Sequence, residues 1–240
     1  MAIGDNRMAN YHIFIASCFE GLGVQVPRII KNIVEVGIPV EYVHIIVGGC
    51  PCDKIYYHNG IEIVQVMYRC FEFTPHIYIA NCPNKYDFDF AFLTHDTVSF
   101  GKNFYNLTKE YIEYMRNNRY DTMRIDIQLP SMNIGIYSKK IIVKNRDKLS
   151  EITLYTNDKD ELMILKRKLT SYEDFILNQN NYYNPNNISE HIVNVFEGIN
   201  GVKSNGLIRN FKYIDLVKYQ SNAYVIQSID IAIIHDTNSI

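Results

Sequence analysis

Tyr11-His12-Ile13-Phe14-Ile15-Ala16, then Val26, Ile29, Ile30, Ile33 and Val34 at helical spacing, then Tyr42-Val43-His44-Ile45-Ile46-Val47, decide the fold class. The first and third of these are mostly apolar runs of β-formers, the pattern of strands buried on both faces. The middle set repeats on one side of a helix. Pro27 suits the first turn of that helix, Gly37 its C-terminal cap, and Pro39 stops its continuation. Strand, helix, strand within fifty residues is a βαβ unit, and a βαβ unit implies a parallel sheet.

Working outward, Ile61-Glu62-Ile63-Val64-Gln65-Val66 predicts a further strand, ahead of a short helix or strand around Ile77-Tyr78-Ile79-Ala80. Asp89-Phe90-Ala91-Phe92-Leu93-Thr94 predicts another strand, running straight into His95-Asp96-Thr97. Phe104, Leu107, Tyr111, Ile112 and Met115 mark one face of a helix from about Asn103 to Asn117. Asn133 to Ser138 reads as a strand interrupted by Gly135, Lys159 to Lys168 and Ser171 to Gln179 as helices, and Tyr213 to Tyr219 begins a closing segment. No repeat, low-complexity linker or charge block divides the chain. The expectation is one domain over residues 1–240, with a C-terminal segment from about 205 to 240 packed on it.

The 240 residues are 47% hydrophobic and 21% charged, ordinary for a globular chain with a proper core. A net charge of −2 gives no basic footprint for nucleic acid or an anionic membrane surface. No run approaches the ~20 apolar residues of a membrane span. The first ten residues lack a basic segment followed by an apolar run, which predicts a cytoplasmic protein whose five cysteines are reduced thiols. Cys50-Pro51-Cys52 has no second pair to complete a structural zinc site. The abundance of Asn, Ile, Lys and Tyr, with 19 Tyr and no Trp, is what A/T-rich coding produces.

Ligands of open α/β sheets bind at the carboxyl ends of the strands. Asp96 stands there, where a carboxylate can hold Mg²⁺ or Mn²⁺ against a diphosphate. A strand-end turn residue is the other reading of Asp96, and both stand. Asp87 and Asp89 fall at the opposite, amino end of the same strand. Ser171-Tyr172-Glu173-Asp174 opens a predicted helix, so Glu173 or Asp174 can act as a general base or simply cap the helix. The two roles are compatible. His12 and His44 lie within apolar strands and read as satisfied core residues. His95 abuts the proposed metal position, and His191 opens a later amphipathic run. Lys139-Lys140 and Lys166-Arg167-Lys168 read as solvated faces.

Taken in order, these residues resemble the nucleotide-sugar glycosyltransferases of the GT-A type, especially the compact domains encoded by large DNA viruses. The resemblance runs from the first strand to Tyr219. It implies an α/β fold with a mixed, mostly parallel Rossmann-like sheet flanked by helices, and transfer of a sugar from a nucleoside diphosphate sugar to a hydroxyl of a glycan or other acceptor. Tyr11 to Ser17 looks like the family's first strand, so Ala16 and Ser17 are expected at the nucleotide. Phe92-Leu93-Thr94-His95-Asp96 resembles the strand ending in the family's Asp-x-Asp element, which makes Asp96 the metal ligand and places Thr94 and His95 beside the donor. Glu173-Asp174 resembles the family's Glu-Asp pair, whose Asp is the base in inverting members. His191 falls where some members carry a late metal-binding His.

Thr94 departs from the pattern, since the first Asp of the element would stand there. A non-catalytic nucleotide-sugar-binding or scaffold protein on the same fold is the alternative this departure keeps open. A sugar nucleotidyltransferase fits less well, because Ser17-Cys18-Phe19-Glu20-Gly21-Leu22-Gly23 has glycines but no Lys or Arg to grip phosphate.

Overall fold

The computed structural model describes residues 10–125, 134–155, 158, 160–161, 164 and 211–219 with their side chains, and 182–183, 191–194 and 207–210 as backbone. The chain folds in the order β1 (Tyr11–Cys18), α1 (Gln25–Val36), β2 (Val43–Gly48), β3 (Lys54–His58), β4 (Ile61–Gln65), α2 (Thr74–Asn81), β5 (Phe90–His95) and β6 (Val98–Phe100). Then come α3 (Phe104–Asn117), β7 (Thr122–Arg124), β8 (Gly135–Ser138), α4 (Lys139–Lys144) and α5 (Arg146–Glu151). The last strands are β9 (Tyr182–Tyr183), β10 (His191–Asn194), β11 (Leu207–Phe211) and β12 (Leu216–Tyr219).

Eight strands form one sheet in the order β3-β4-β2-β1-β5-β8-β7-β9. The neighbours β4, β2, β1 and β5 run parallel, while β3 and β8 are antiparallel to theirs. The βαβ reading predicts the parallel centre of this sheet; the antiparallel β3 and β8 make it mixed, the arrangement that the resemblance implies. Strand alternation divides the core in two. Ile13 and Ile15 of β1 and Phe90 and Phe92 of β5 pack with Ile29, Ile30 and Ile33 of α1 and with Phe104, Ile112 and Met115 of α3. Phe14, Ala91 and Leu93 face the other way, onto Ile77 and Ile79 of α2, Ile141 and Ile142 of α4 and Leu149 of α5.

Helix α1 ends where Gly37 takes the left-handed conformation, φ 77°, and its amide donates to the Val34 carbonyl at 3.2 Å. Val34 itself is 48% exposed, at the edge of the stripe that its spacing predicts as buried. The segment around Ile77 is a helix. Lys139, predicted to be solvated, instead donates through Nζ to the Tyr86 carbonyl at 2.7 Å.

A second, antiparallel sheet has the order β10-β11-β12-β6. Only Asp96 and Thr97 separate β5 of the large sheet from β6 of the small one. Phe211, Ile214 and Leu216 carry this layer into the first core. Asn32 of α1 secures it, donating to the Phe100 carbonyl at 3.1 Å and accepting from the Phe100 amide at 2.7 Å. No helix among the described residues is long and apolar enough to cross a membrane.

Candidate functional site

From β1 the chain crosses through α1 to β2 on one side. After β4 it returns through α2, on the opposite face, to β5 on the other side of β1. Strands β1 and β5 therefore flank the point where the winding reverses. In doubly wound sheets, ligands bind in the crevice outside the carboxyl ends of such a strand pair.

Asp96 follows β5 directly, at the carboxyl end of this strand pair. Its amide donates to the Ala16 carbonyl at 2.9 Å, the last rung between the two strands. Its Oδ2 accepts from the Ser17 hydroxyl at 2.5 Å. The turn is clamped from behind by Arg28 of α1, whose guanidinium donates to the carbonyls of Asp96 and of Val98, the latter at 3.0 Å. Arg28 also donates to Gln25 Oε1 at 3.2 Å and lies 5.7 Å from the centre of the Tyr219 ring. Tyr219 closes the arrangement by donating its amide to the Thr97 carbonyl at 2.8 Å. Burial raises the Asp96 carboxyl above its ordinary range, against the pull of the Ser17 hydroxyl and the Arg28 charge.

Gly21, in the short 3₁₀ turn after β1, leaves room for this pair. A Cβ there would stand 2.9 Å from Ser17 Oγ and 3.0 Å from Asp96 Oδ2. Beyond it, Glu20 pairs with Arg69 at 2.9 Å, joining the loop after β1 to the loop after β4. Phe19 and Met67, on those loops, are each about half exposed.

The other residues read from the sequence divide clearly. Ala16 contributes its backbone carbonyl, and Ser17 its hydroxyl, to Asp96. Thr94 is 1% exposed within β5, with its hydroxyl unpartnered among the described residues, so its side chain lies inside the fold and not on the crevice. His95 is hydrogen-bonded through Nδ1 to the Thr97 hydroxyl. Burial, with the Lys218 ammonium nearby, pushes its pKa down to about 3, so its imidazole is neutral. His191 lies on β10, of which only the backbone is described, and Glu173 and Asp174 lie outside the described residues. Asp87 and Asp89 do sit at the amino end of β5, where the Asp87 carbonyl accepts from the Asn10 side chain and the Asp89 amide donates to the Asn10 carbonyl.

Sequence reasoning missed Arg28, Gly21 and Tyr219. Arg28 stands one turn into α1, outside the loop Ser17 to Gly23, and its guanidinium is spent on the turn after β5 rather than held out toward a phosphate.

Among the described residues no group of three His, Cys, Asp or Glu could hold a metal ion. The set at the crevice, one carboxylate beside one hydroxyl, fits a magnesium-type ion, which takes one or two protein carboxylates and completes its shell with substrate phosphates and water. Comparison with protein-family models and with curated proteins finds no match to the sequence.

Proposed function

We propose that the chain transfers a sugar from a nucleoside diphosphate sugar to an acceptor hydroxyl, with the donor diphosphate seated at the β1–β5 crevice. The observation that carries this reading is the Ser17–Asp96 pair, which puts a buffered carboxylate at the point where the sheet reverses its winding. Asp96 would hold Mn²⁺ or Mg²⁺, and the ion when bound offsets the charge that builds on the departing diphosphate. Ser17 keeps the carboxylate aimed by donating to one of its oxygens. Arg28 fixes the chain just after Asp96 through the Asp96 and Val98 carbonyls, and the Ala16 carbonyl holds the amide before it, so that the carboxylate need not be ordered when the donor arrives. Activation of the acceptor is assigned to Asp174 or Glu173, from their place at a predicted helix start and from the resemblance.

Binding of the nucleotide sugar without transfer is the second reading. It is favoured by Thr94, whose buried side chain leaves Asp96 without a neighbouring carboxylate on its own strand.

The test is thermal stabilisation by a panel of nucleotides and nucleotide sugars, with and without Mn²⁺, in the wild type and in Asp96→Ala. At ~100 times the dissociation constant a ligand adds about 2.7 kcal/mol of stability. A shift that needs both metal and Asp96 supports the donor site, and release of free sugar or glycosylated acceptor then separates transfer from binding. A folded sample that none of the panel stabilises overturns the assignment.

A further inference from the structure

The far edge of the large sheet, three strands away from the donor crevice, carries an unused pairing surface. Strand β3 is the outermost strand, and among the described residues nothing pairs with its free side. It joins β4 through Asn59 and Gly60, both at positive φ, 50° and 81°, the signature of a type I′ hairpin. In such a hairpin the residues flanking the turn exchange hydrogen bonds, and bonded pairs then alternate along the ladder. With His58 opposite Ile61, Tyr56 opposite Ile63 and Lys54 opposite Gln65, those three residues spend their backbone groups on β4. Ile55 and Tyr57 therefore turn their N–H and C=O groups outward.

The same two residues expose their side chains, Ile55 by 52% and Tyr57 by 68%. Edge strands are ordinarily protected by a proline, a bulge or an inward-pointing charge, and β3 has none of these within its span. Its one cation, Lys54, is at the end of the strand and lies 5.4 Å from the centre of its own Tyr56 ring.

We infer that β3 pairs antiparallel with β3 of a second copy of this chain, about a two-fold axis at Tyr56. Two-fold closure leaves few choices of register, because outward-facing groups must meet outward-facing groups. With Tyr56 on the axis, Ile55 stands opposite Tyr57 of the second copy, and Tyr57 opposite its Ile55. Each of these pairs exchanges both backbone bonds. Each also sets a β-branched side chain against an aromatic one, a favourable cross-strand combination, on a single face of the joined sheet. Lys54 then faces His58, so the register brings no carboxylate–carboxylate or lysine–lysine pair together. An unrelated extended peptide could satisfy the backbone, but the Ile–Tyr match on both sides of the axis is a property of the strand against itself.

Sedimentation equilibrium over a wide concentration range tests this on the full chain. The wild type should fit a monomer–dimer equilibrium. Ile55→Lys with Tyr57→Lys, both at exposed positions, should run as a monomer over the same range with an unchanged melting temperature. A second readout does not depend on that variant folding. Opposite residues of a non-hydrogen-bonded pair lie within disulfide reach, about 4.5 Å between Cα atoms, whereas diagonal neighbours lie about 7–8 Å apart. In a Cys52→Ser background, Tyr56→Cys should cross-link to its own copy under mild oxidation, and Ile55→Cys should not. A wild type that stays monomeric, a dimer that survives the double lysine variant, or equal cross-linking at positions 55 and 56 would each overturn the inference.

Discussion

Acid should destabilise this fold through histidines that are buried neutral, and His76 gives the cleanest measure. Its ring lies on α2, 3% exposed, with ring centres 4.9 Å from Phe73 and 4.8 Å from Tyr137. Burial pushes its pKa from the ordinary 6.5 down to about 3. Between those values the unfolded chain binds a proton that the folded chain refuses. The contribution is therefore intact above pH 6.5 and drains away as the pH falls toward 3. At pH 5 the medium is one and a half units below the unfolded value, and at 1.36 kcal/mol per unit the loss is about 2 kcal/mol. His12, pushed down to about 4 by burial and the neighbouring His44, and His44, lowered by burial, act in the same direction. The perturbation is His76→Phe, which keeps an aromatic ring in the aromatic cage and removes the titration. Urea unfolding followed by circular dichroism at pH 8 and pH 5 gives four free energies. Whatever the substitution costs at pH 8, the variant should lose about 2 kcal/mol less than the wild type on going to pH 5. Equal losses in the two proteins would refute a buried neutral His76.

Asn32→Ala removes both partners of the Phe100 peptide. Leaving a buried donor and acceptor unsatisfied should cost about 2–4 kcal/mol in urea unfolding. Gly21→Ala drives a methyl between Ser17 Oγ and Asp96 Oδ2. On the proposed function it should weaken metal-dependent nucleotide binding by about tenfold or more, corresponding to about 1.4 kcal/mol, as read by titration calorimetry. Gly60→Ala puts a Cβ at φ 81°, 2.9 Å from Val40 Cγ2. It should lower stability by about 1–2 kcal/mol and raise hydrogen exchange in β3 before it does so in β1.

The parallel centre of the fold was legible because its strands are continuous apolar runs and α1 has a clean stripe. The runs Tyr11–Ala16, Tyr42–Val47 and Ile61–Val66 all lie in strands, apart from single residues at their ends. Helix α2 was ambiguous for a physical reason. Thr74 to Ala80 are all buried, so no polar face marks the helical period. Strand β3 alternates only weakly because both of its faces meet solvent, although His58-Asn59-Gly60-Ile61 held a hairpin signal. Strands β6 and β12, three and four residues long, are too short to show any period. At the candidate site, Asp96 was visible because an apolar run ends on it. Arg28 was not, since its bonds to the turn after β5 join residues far apart in the chain, and spacing along a helix carries no trace of them.

The two ends of the sheet hold their carboxylates differently, and the difference bears on which end takes a ligand. At the amino end His12 Nδ1 and His44 Nε2 are 2.8 Å apart, and His44 Nδ1 lies 3.1 Å from Glu62 Oε2. Glu62 also accepts from the Tyr86 hydroxyl, and pairs with Lys85 at 2.9 Å. An ionised carboxylate only accepts, so His44 donates through Nδ1 and receives the His12 proton on Nε2. Burial alone would raise the Glu62 carboxyl, but its bonds from His44, Tyr86 and Lys85 outweigh that and hold it at about 2. Its charge is already met from within the fold. Asp96 accepts from Ser17, while the guanidinium of Arg28 is committed to backbone carbonyls, and the net effect of burial is a carboxyl raised above its ordinary value. The Arg28 charge and the Ser17 hydroxyl only partly offset its burial, so this carboxylate would be stabilised further by a cation. On the proposed function, a divalent cation carried in with a diphosphate would supply that stabilisation, so that reading puts the donor at the carboxyl end and not at the histidine-lined amino end.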